Sequence, residues 1–325
     1  MRIVVTGSSG HLGEALVRVL GEEGHDVIGI DPLASPFTSV VGSVADSLCV
    51  QRSLENADAV IHTATLHKPH IDSHGRQAFV DTNITGTLTL LEESVAAGIG
   101  CFVFTSTTST YGRALTPAID APATWVTEDL VPVPRNVYGV TKLAAEGLCE
   151  LISRDHGLPC VVLRTSRFFP EGDDRDEIRT AFDDLNVKVN ELLYRRVDLQ
   201  DVVDAHRVAL ARGPEIGFGR FIVSATTPFE SGDLSELRTD APSVVRRYFP
   251  DYEAIYAERG WRMFPTIDRV YVNSRARSAL GWAPRYDFSH ALERVKAGED
   301  PFSPLAETVG ARGYYAGSIE PYTSR

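Results

Sequence analysis

No stretch of these 325 residues holds an apolar run near the roughly 20 residues that a membrane-crossing helix needs, which excludes a helical span. Met1, Arg2 and Ile3 lead directly into strand-like sequence, without the charged and apolar regions of a secretory signal, so a soluble, cytoplasmic protein is expected. Cysteine is sparse. Cys49, Cys101, Cys149 and Cys160 stand far apart, which fits neither a disulfide framework nor a zinc site, and reduced thiols are expected. Basic residues are too few for a nucleic-acid surface: 32 Lys and Arg against 44 Asp and Glu leave a net charge of −12. Internal repeats and low-complexity tracts are absent too. What remains is 43% hydrophobic, ample for a core, on a chain longer than one compact core usually spans, so a large domain with a smaller second one is expected.

The first 31 residues carry the strongest pattern. Ile3, Val4 and Val5 form a short apolar run that fits a strand buried on both faces, ending at Thr6 and Gly7. Gly7, Gly10 and Gly13 then recur at even spacing, suiting a tight turn, close approach of backbone to a pyrophosphate, and close packing of the next helix on the sheet. Leu12, Ala15, Leu16, Val19 and Leu20 give that helix its apolar face. A second strand over 25–30 ends at Asp31, whose carboxylate suits an adenosine ribose and repels a 2′-phosphate. With no Arg or Lys between Asp31 and Arg52, the pattern favours NAD over NADP.

Apolar runs at 59–62, 101–105 and 160–163 alternate with helical stretches, the signature of a parallel sheet with helices on both faces and ligands at the carboxyl ends of its strands. Beyond Arg167 the chain turns proline-bearing and acidic, and reads as a loop-rich lobe. Helical periodicity returns over 196–210, and residues 220–224 suit one more strand. A nucleotide-binding domain is therefore expected over 1–167 and 196–225, with a substrate lobe over 168–195 and 226–325. Residues 301–325 show no usable period and read as a tail or flap.

Tyr138 and Lys142, in YGVTK, stand one helical turn apart on a stretch that runs on through LAAEGLCELI, so both face the same way. A phenol is a poor base at neutral pH, but a fixed ammonium beside it stabilises the phenolate, which could then take the proton from a substrate hydroxyl. Such a pair also occurs by chance on exposed helix faces. Ser106, Thr107, Thr108, Ser109 and Thr110 follow a strand directly, where hydroxyls can hold a substrate oxygen or simply form a turn.

In order along the chain, these features resemble the extended short-chain dehydrogenase/reductase superfamily, in its branch of NAD-dependent epimerases and dehydratases. The resemblance runs to about Leu292 and rests on the glycine triplet, Asp31, VIHTA, VDTNITGT, TSTTSTYG, YGVTK, RRVDLQDVVDAH and ARSALGWAP. It implies an α/β fold, a Rossmann-type doubly wound parallel sheet with a smaller C-terminal substrate lobe, and NAD as cofactor. By motif, Thr107 matches the catalytic Ser/Thr, Tyr138 the acid/base, and Lys142 the residue that holds the nicotinamide ribose; Asn83 matches a position supporting that geometry. Cofactor contacts are implied at Gly7, Gly10, His11, Leu12, Gly13, Asp31, Ser43, Val44, Ala64, Asn83, Tyr138 and Lys142. A homodimer is implied through helices beginning near Asn83 and Tyr138.

The departures narrow the chemistry. Thr107 is followed by Thr108 and Ser109 instead of the Asp–Glu pair of the family's 4,6-dehydratases, so dehydration is not expected. Arg167 stands where epimerases of nucleotide sugars often carry a diphosphate-binding Asn, and the family's Arg-x-Gly-Asp is replaced by RGWRMFPTIDRVY. Ser43 occupies a position where an adenine-side Asp is frequent, leaving Asp46 as the candidate replacement. Arg167, Arg195, Arg196, Arg262 and Arg269 are all able to grip carboxylate or phosphate, or to pair with surface carboxylates. Of these, Arg167, Arg196 and Arg269 are expected at the substrate, together with His67, Thr107 and Thr108. His62, His67, His70 and His74 share no regular element, and no metal site is expected. The favoured function is an NAD-dependent sugar or nucleotide-sugar epimerase, followed by a dehydrogenase of a free, acidic or phosphorylated sugar. A third possibility, an NAD-binding regulator without catalysis, leaves Thr107, Tyr138 and Lys142 without a purpose.

Overall fold

The computed structural model describes residues 1–311. Seven parallel strands lie in the order β3 (Val40–Val41), β2 (Asp26–Asp31), β1 (Arg2–Thr6), β4 (Ala59–His62), β5 (Cys101–Thr107), β7 (Cys160–Thr165) and β8 (Phe218–Val223). Alternation along each strand builds two cores at once. Ile3, Val5, Ile61, Val103, Val161 and Leu163 face one layer, covered by α1 (His11–Glu22) and α8 (Leu199–Ile216). Val4, Val60, Phe102, Phe104 and Val162 face the other, covered by α2 (Ser47–Leu54), α4 (Gly86–Ala96) and α5 (Val137–His156). Both faces being covered is why these strands read as unbroken apolar runs. Helix α3 (Arg76–Val80) leads into α4 through a π-helical turn, Asp81–Thr85. The architecture is the doubly wound Rossmann type.

Element ends differ from the sequence reading for physical reasons. β5 and β7 run past Thr105 and Leu163, pairing as far as Thr107 with Thr165, because backbone pairing continues over polar side chains that face a cavity. The helix read over 196–210 starts at Leu199, where the Asp198 carboxylate caps it by accepting from Gln200 N at 2.7 Å. Arg196 is extended and bridges to Arg167.

A second core gathers α6 (Asp176–Ala181), α7 (Asp184–Leu192), α9 (Leu234–Leu237), α10 (Ala241–Tyr248), α11 (Tyr252–Ala257) and α12 (Phe288–Lys296). Leu192, Leu237, Val244, Tyr256, Phe264 and Phe288 fill it. Beside it, β6 (Thr124–Val126) and β9 (Arg269–Tyr271) pair in parallel. The expected boundaries are crossed in both directions. Ala123 and Trp125 pack into this lobe core, although 1–167 reads as nucleotide domain. Conversely Ala276, Leu280 and Trp282, with Val309 of α13 (Pro304–Val309), pack into the Rossmann layer. Two carboxylates at the start of α8 cause this return. Asp201 accepts from the backbone N–H groups of Arg285 and Tyr286, both at 2.9 Å, while its carbonyl accepts from Trp282 Nε1 at 3.0 Å. Asp198 accepts from Ser303 N at 2.9 Å. Of the stretch read as a tail or flap, Leu305, Ala306 and Val309 pack on the Rossmann layer and Phe302 on the second core; residues 312–325 lie outside the described residues.

One buried ion pair joins the elements that carry the site. Glu146 on α5 takes Arg164 of β7 through Nη2 at 2.6 Å and Nε at 3.0 Å, and accepts from Ser106 Oγ of β5 at 2.5 Å. Arg164 Nη1 also donates to Tyr111 Oη at 3.0 Å. Glu146→Ala strands the Arg164 charge in the core and is expected to cost about 3–5 kcal/mol. Urea unfolding of the variant checks this; an unchanged midpoint would refute it.

Candidate active site

A cavity of about 730 Å³ opens at the carboxyl ends of the strands, lined by Gly7 after β1, Asp31 of β2, Thr63 after β4, Thr105 of β5 and Thr165 of β7. One half is built by the glycine turn. Gly7 adopts φ +72°, and a Cβ on Gly13 would lie 1.9 Å from the Gly7 carbonyl oxygen, so neither position tolerates a side chain without moving the turn. No side chain caps α1, leaving its positive end turned toward the wall formed by Gly10, His11, Leu12 and Gly13. At the far edge, the Asp31 carboxylate accepts from Leu33 N at 2.9 Å and Ser9 N at 3.2 Å. Burial raises its pKa, and these two N–H groups partly offset that. Ser43, Val44 and Ala64 complete this half. Asp46 does not replace an adenine-side acid, since its carboxylate caps α2 by accepting from Leu48 N and Cys49 N and stays off the wall. A glycine cradle, a bare helix end and a ribose-facing carboxylate fit a dinucleotide.

The reacting half faces this cradle. Tyr138 sits in the first turn of α5, which Asn136 caps by accepting from Gly139 N at 3.0 Å. Burial pushes the Tyr138 phenol up to about 12, partly offset by the neighbouring Thr107 hydroxyl. The Thr107 oxygen accepts from Ser109 N at 3.1 Å, so its proton is free to be donated toward Tyr138 or a ligand. Thr107, Thr108 and Tyr138 share the cavity wall.

Lys142 does not reach that wall, contrary to the sequence expectation of a cofactor contact. It is 2% exposed, with Nζ 4.0 Å from the Phe104 ring centroid, one turn behind Tyr138. Burial lowers its pKa to about 7, against which Glu146 and Cys149 act to raise it. Asn83 is likewise off the wall. From the π turn it accepts from Leu66 N at 2.8 Å and donates to Leu66 O at 2.9 Å and Thr141 Oγ1 at 3.0 Å, bracing the loop after β4 against α5. It is a positioning residue.

Of the five arginines singled out above, Arg167, Arg195 and Arg269 line the cavity, whereas Arg196 does not; Arg135 lines it too and gives Nη2 to Thr116 Oγ1. Arg196 is 3% exposed and turned inward, giving Nε to Glu191 at 2.8 Å and Nη1 to Phe169 O at 3.0 Å. Its extended backbone sends neighbouring side chains to opposite sides, so Arg195 takes the wall in its place. Arg262 points elsewhere, toward Ala181 O and the Phe182 ring. Arg167 is tied down by the carbonyls of Glu171 and Gly172 and lies near Asp174 and Glu191, at 3.6 and 3.8 Å. The buried Glu191 carboxylate is held below its usual pKa by Arg195, Arg196 and Arg167, against its desolvation.

His67 stacks on Phe169 with ring centroids 5.5 Å apart, and Lys68 pairs with Asp174, so the loop after β4 meets the loop after β7 across the cavity. Burial drops His67 to a pKa of about 3 and His70 to about 4. His62 is sealed in the core between Thr6 and Thr87. Among the described residues, no group of three His, Cys, Asp or Glu is arranged to hold a metal ion. The sequence reading overlooked Phe168 and Phe169 on the wall, although an aromatic pair just past a sheet strand was the available signal.

Comparison with known proteins agrees with this geometry. The model of the NAD dependent epimerase/dehydratase family matches residues 3–217. The UDP-glucose 4-epimerase of Rhizobium meliloti (strain 1021) is 26% identical, over 90% of this chain and 94% of its own. The low-salt glycan biosynthesis protein Agl12 of Haloferax volcanii is 30% identical, over 90% of this chain and 96% of its own. Among solved structures, the UDP-glucose 4-epimerase of Thermotoga maritima superposes with a TM-score of 0.63 at 24% identity, over 91% of this chain and 98% of its own. A short-chain dehydrogenase/reductase superfamily protein of Agrobacterium tumefaciens with bound NAD gives the same score and identity, over 91% and 96%. With the glycine cradle, Asp31 and the Thr107–Tyr138 pair already in place, the chain belongs to the NAD-dependent epimerase/dehydratase family and is an NAD-dependent enzyme of the extended short-chain dehydrogenase/reductase type.

Proposed function

We propose that the protein epimerises a sugar or nucleotide sugar by transient oxidation of a secondary hydroxyl. The observation that carries this reading is that Thr107 and Tyr138 line the same cavity wall as the glycine cradle. Gly7, Gly10 and Gly13 would hold NAD in the cradle, and the cofactor would supply the acceptor and donor of a hydride. Thr107 holds the reacting hydroxyl, and Tyr138, as phenolate, takes its proton while the carbon-bound hydrogen departs, leaving a ketone. Rotation of the ketone in the cavity then exposes its other face, and Tyr138 returns the proton as the hydride comes back, which inverts the centre with no net redox change. Net dehydrogenation of a free, acidic or phosphorylated sugar uses the same residues. Retention of the ketone is favoured by the closure of the cavity through His67–Phe169 and Lys68–Asp174. UDP-glucose 4-epimerases among the relatives support the sugar reading.

The test is incubation with NAD and a panel of sugars, reading NADH absorbance and product NMR on the same samples. Stereochemical conversion without accumulating NADH is the expected result; accumulating NADH would make it a dehydrogenase. Tyr138→Phe is expected to lower turnover by about 10²–10⁴-fold, with NAD affinity kept within a few-fold.

Lys142 supports Tyr138 through its charge. Lys142→Met is expected to abolish turnover while raising the melting temperature at neutral pH, because a buried ammonium is removed. The folded-state pKa of about 7 lies below the unfolded value, so the unfolded chain binds the extra proton between the two. Wild-type stability should rise with pH from about 7 to about 10, and the variant's advantage should shrink over that range. An advantage independent of pH would refute this account.

We also propose a homodimer in a reducing cytoplasm. On α5, Val140 and Leu151 are 53% and 39% exposed and share an outward face with Ala144 and Gly147, a surface that a second copy would cover, and all four cysteines are free. Sedimentation should give a dimer at micromolar concentration, and a monomer there would count against it.

A further inference from the structure

The lobe side of the cavity concentrates positive charge in a chain whose net charge is −12. Asp173, Asp174 and Glu191 are shared among Arg167, Arg175, Arg195, Arg196 and Lys68, and cations outnumber carboxylates there even when Glu171 on the wall is counted. Most of these cations are committed. Arg196 is turned inward and Arg167 is held by two carbonyls. Two guanidiniums on the wall differ. Arg195 gives Nη2 to Asp173 at 2.7 Å and Glu191 at 2.5 Å, and Arg269 gives Nη1 to Asp268 at 3.2 Å. Among the described residues, no hydrogen bond is made by Arg195 Nη1 or Arg269 Nη2.

These two arginines belong to one corner. Tyr271 N donates to Tyr194 O at 2.9 Å, which ties the strand carrying Arg269 to the segment carrying Arg195. The buried Tyr194 phenol lies within the field of both guanidiniums. The same corner adjoins the reacting end of the cavity. Tyr271 packs with Tyr111, Leu115 and Val126, and Tyr111 and Leu115 follow directly on the loop that presents Thr107 and Thr108.

We propose that Arg195 and Arg269 form a subsite for an oxyanion carried by the sugar itself, a carboxylate or a phosphate, so that the substrate is an acidic sugar; this rests on reading the site as a sugar-oxidising centre. The open donors can grip such a group in the bidentate manner, and its charge offsets the excess beside Glu191. Leu115 and Tyr271, backed by Tyr111, give the sugar an apolar wall.

The test uses the full-length Tyr138→Phe protein loaded with NAD, which holds substrate without turning it over. Calorimetric affinities are compared for uronates, for sugar phosphates and for the parent neutral sugars in the gluco, galacto and manno series, with UDP-glucose as a further probe. The anionic members should bind about tenfold or more tightly than their neutral parents. Arg269→Gln in the same background should remove that difference, and Arg269→Lys, which keeps charge without the planar fork, should restore part of it. Preference for uronates or for phosphates identifies which oxyanion the corner takes. Equal affinity for anionic and neutral sugars, no effect of Arg269→Gln, or a loss confined to UDP-glucose overturns the proposal. Product NMR on the wild type separates the two readings. Anionic sugars that bind through Arg269 yet are neither oxidised nor epimerised would sink the catalytic reading and leave the subsite standing.

Discussion

The pair between Glu146 and Arg164 is the constraint on which the site depends. It is fully desolvated, and its components come from α5, β5 and β7, the three elements that supply Tyr138, Thr107 and the entry to the substrate lobe. A buried ion pair adds little to stability when compared with apolar packing, but it allows few alternative registers. Glu146 is two turns beyond Tyr138 on the same helix, and Ser106 immediately precedes Thr107. Fixing Glu146 against Ser106 and Arg164 therefore fixes the phenol against the threonine hydroxyl. Asn83 does the same from the other side, fastening the loop after β4 to Thr141. Tyr138 and Thr107 are thus placed by polar contacts made largely behind the cavity wall.

Electrostatics divides the cavity into two unlike halves. The cradle offers backbone and a helix end, with one carboxylate at its edge. The lobe side offers guanidiniums that are neutralised, incompletely, by carboxylates lying one layer deeper. Lys142 belongs to neither. Its ammonium lies against the Phe104 ring in the core, one helical turn behind Tyr138. The histidines near the mouth are largely desolvated and neutral at physiological pH, so His67 contributes through its stacked ring and not through charge.

What the sequence made legible was whatever depends on residues close together in the chain. The apolar runs of β1, β4, β5 and β7, the Gly7–Gly10–Gly13 turn and the helix that carries Tyr138 and Lys142 are all local signals, and each forms the element its pattern implied. Long-range partners were not legible. Whether Arg195 or Arg196 faces the cavity depends on a bridge to Arg167 across almost thirty residues. Asp46 reads as a ligand-facing acid until its carboxylate is seen capping α2. The depth of Lys142 follows from Phe104, which sits on a different element. Ala276, Leu280, Trp282 and Val309 carry no signal that they belong to the first core, because that membership is written in Asp198 and Asp201, about a hundred residues earlier.

That return has a consequence for how the molecule comes into being. The layer of apolar side chains under β1 contains Trp282, Leu280 and Val309, so a chain emerging from the ribosome cannot close it until nearly all the described residues have been made. The glycine turn and the first strands are synthesised early but remain open on one face through the making of the lobe, an interval in which exposed parallel strands are prone to mispairing. The two halves are thus not separable folding units: the segment that completes the nucleotide-binding layer is the one that leaves the substrate lobe last.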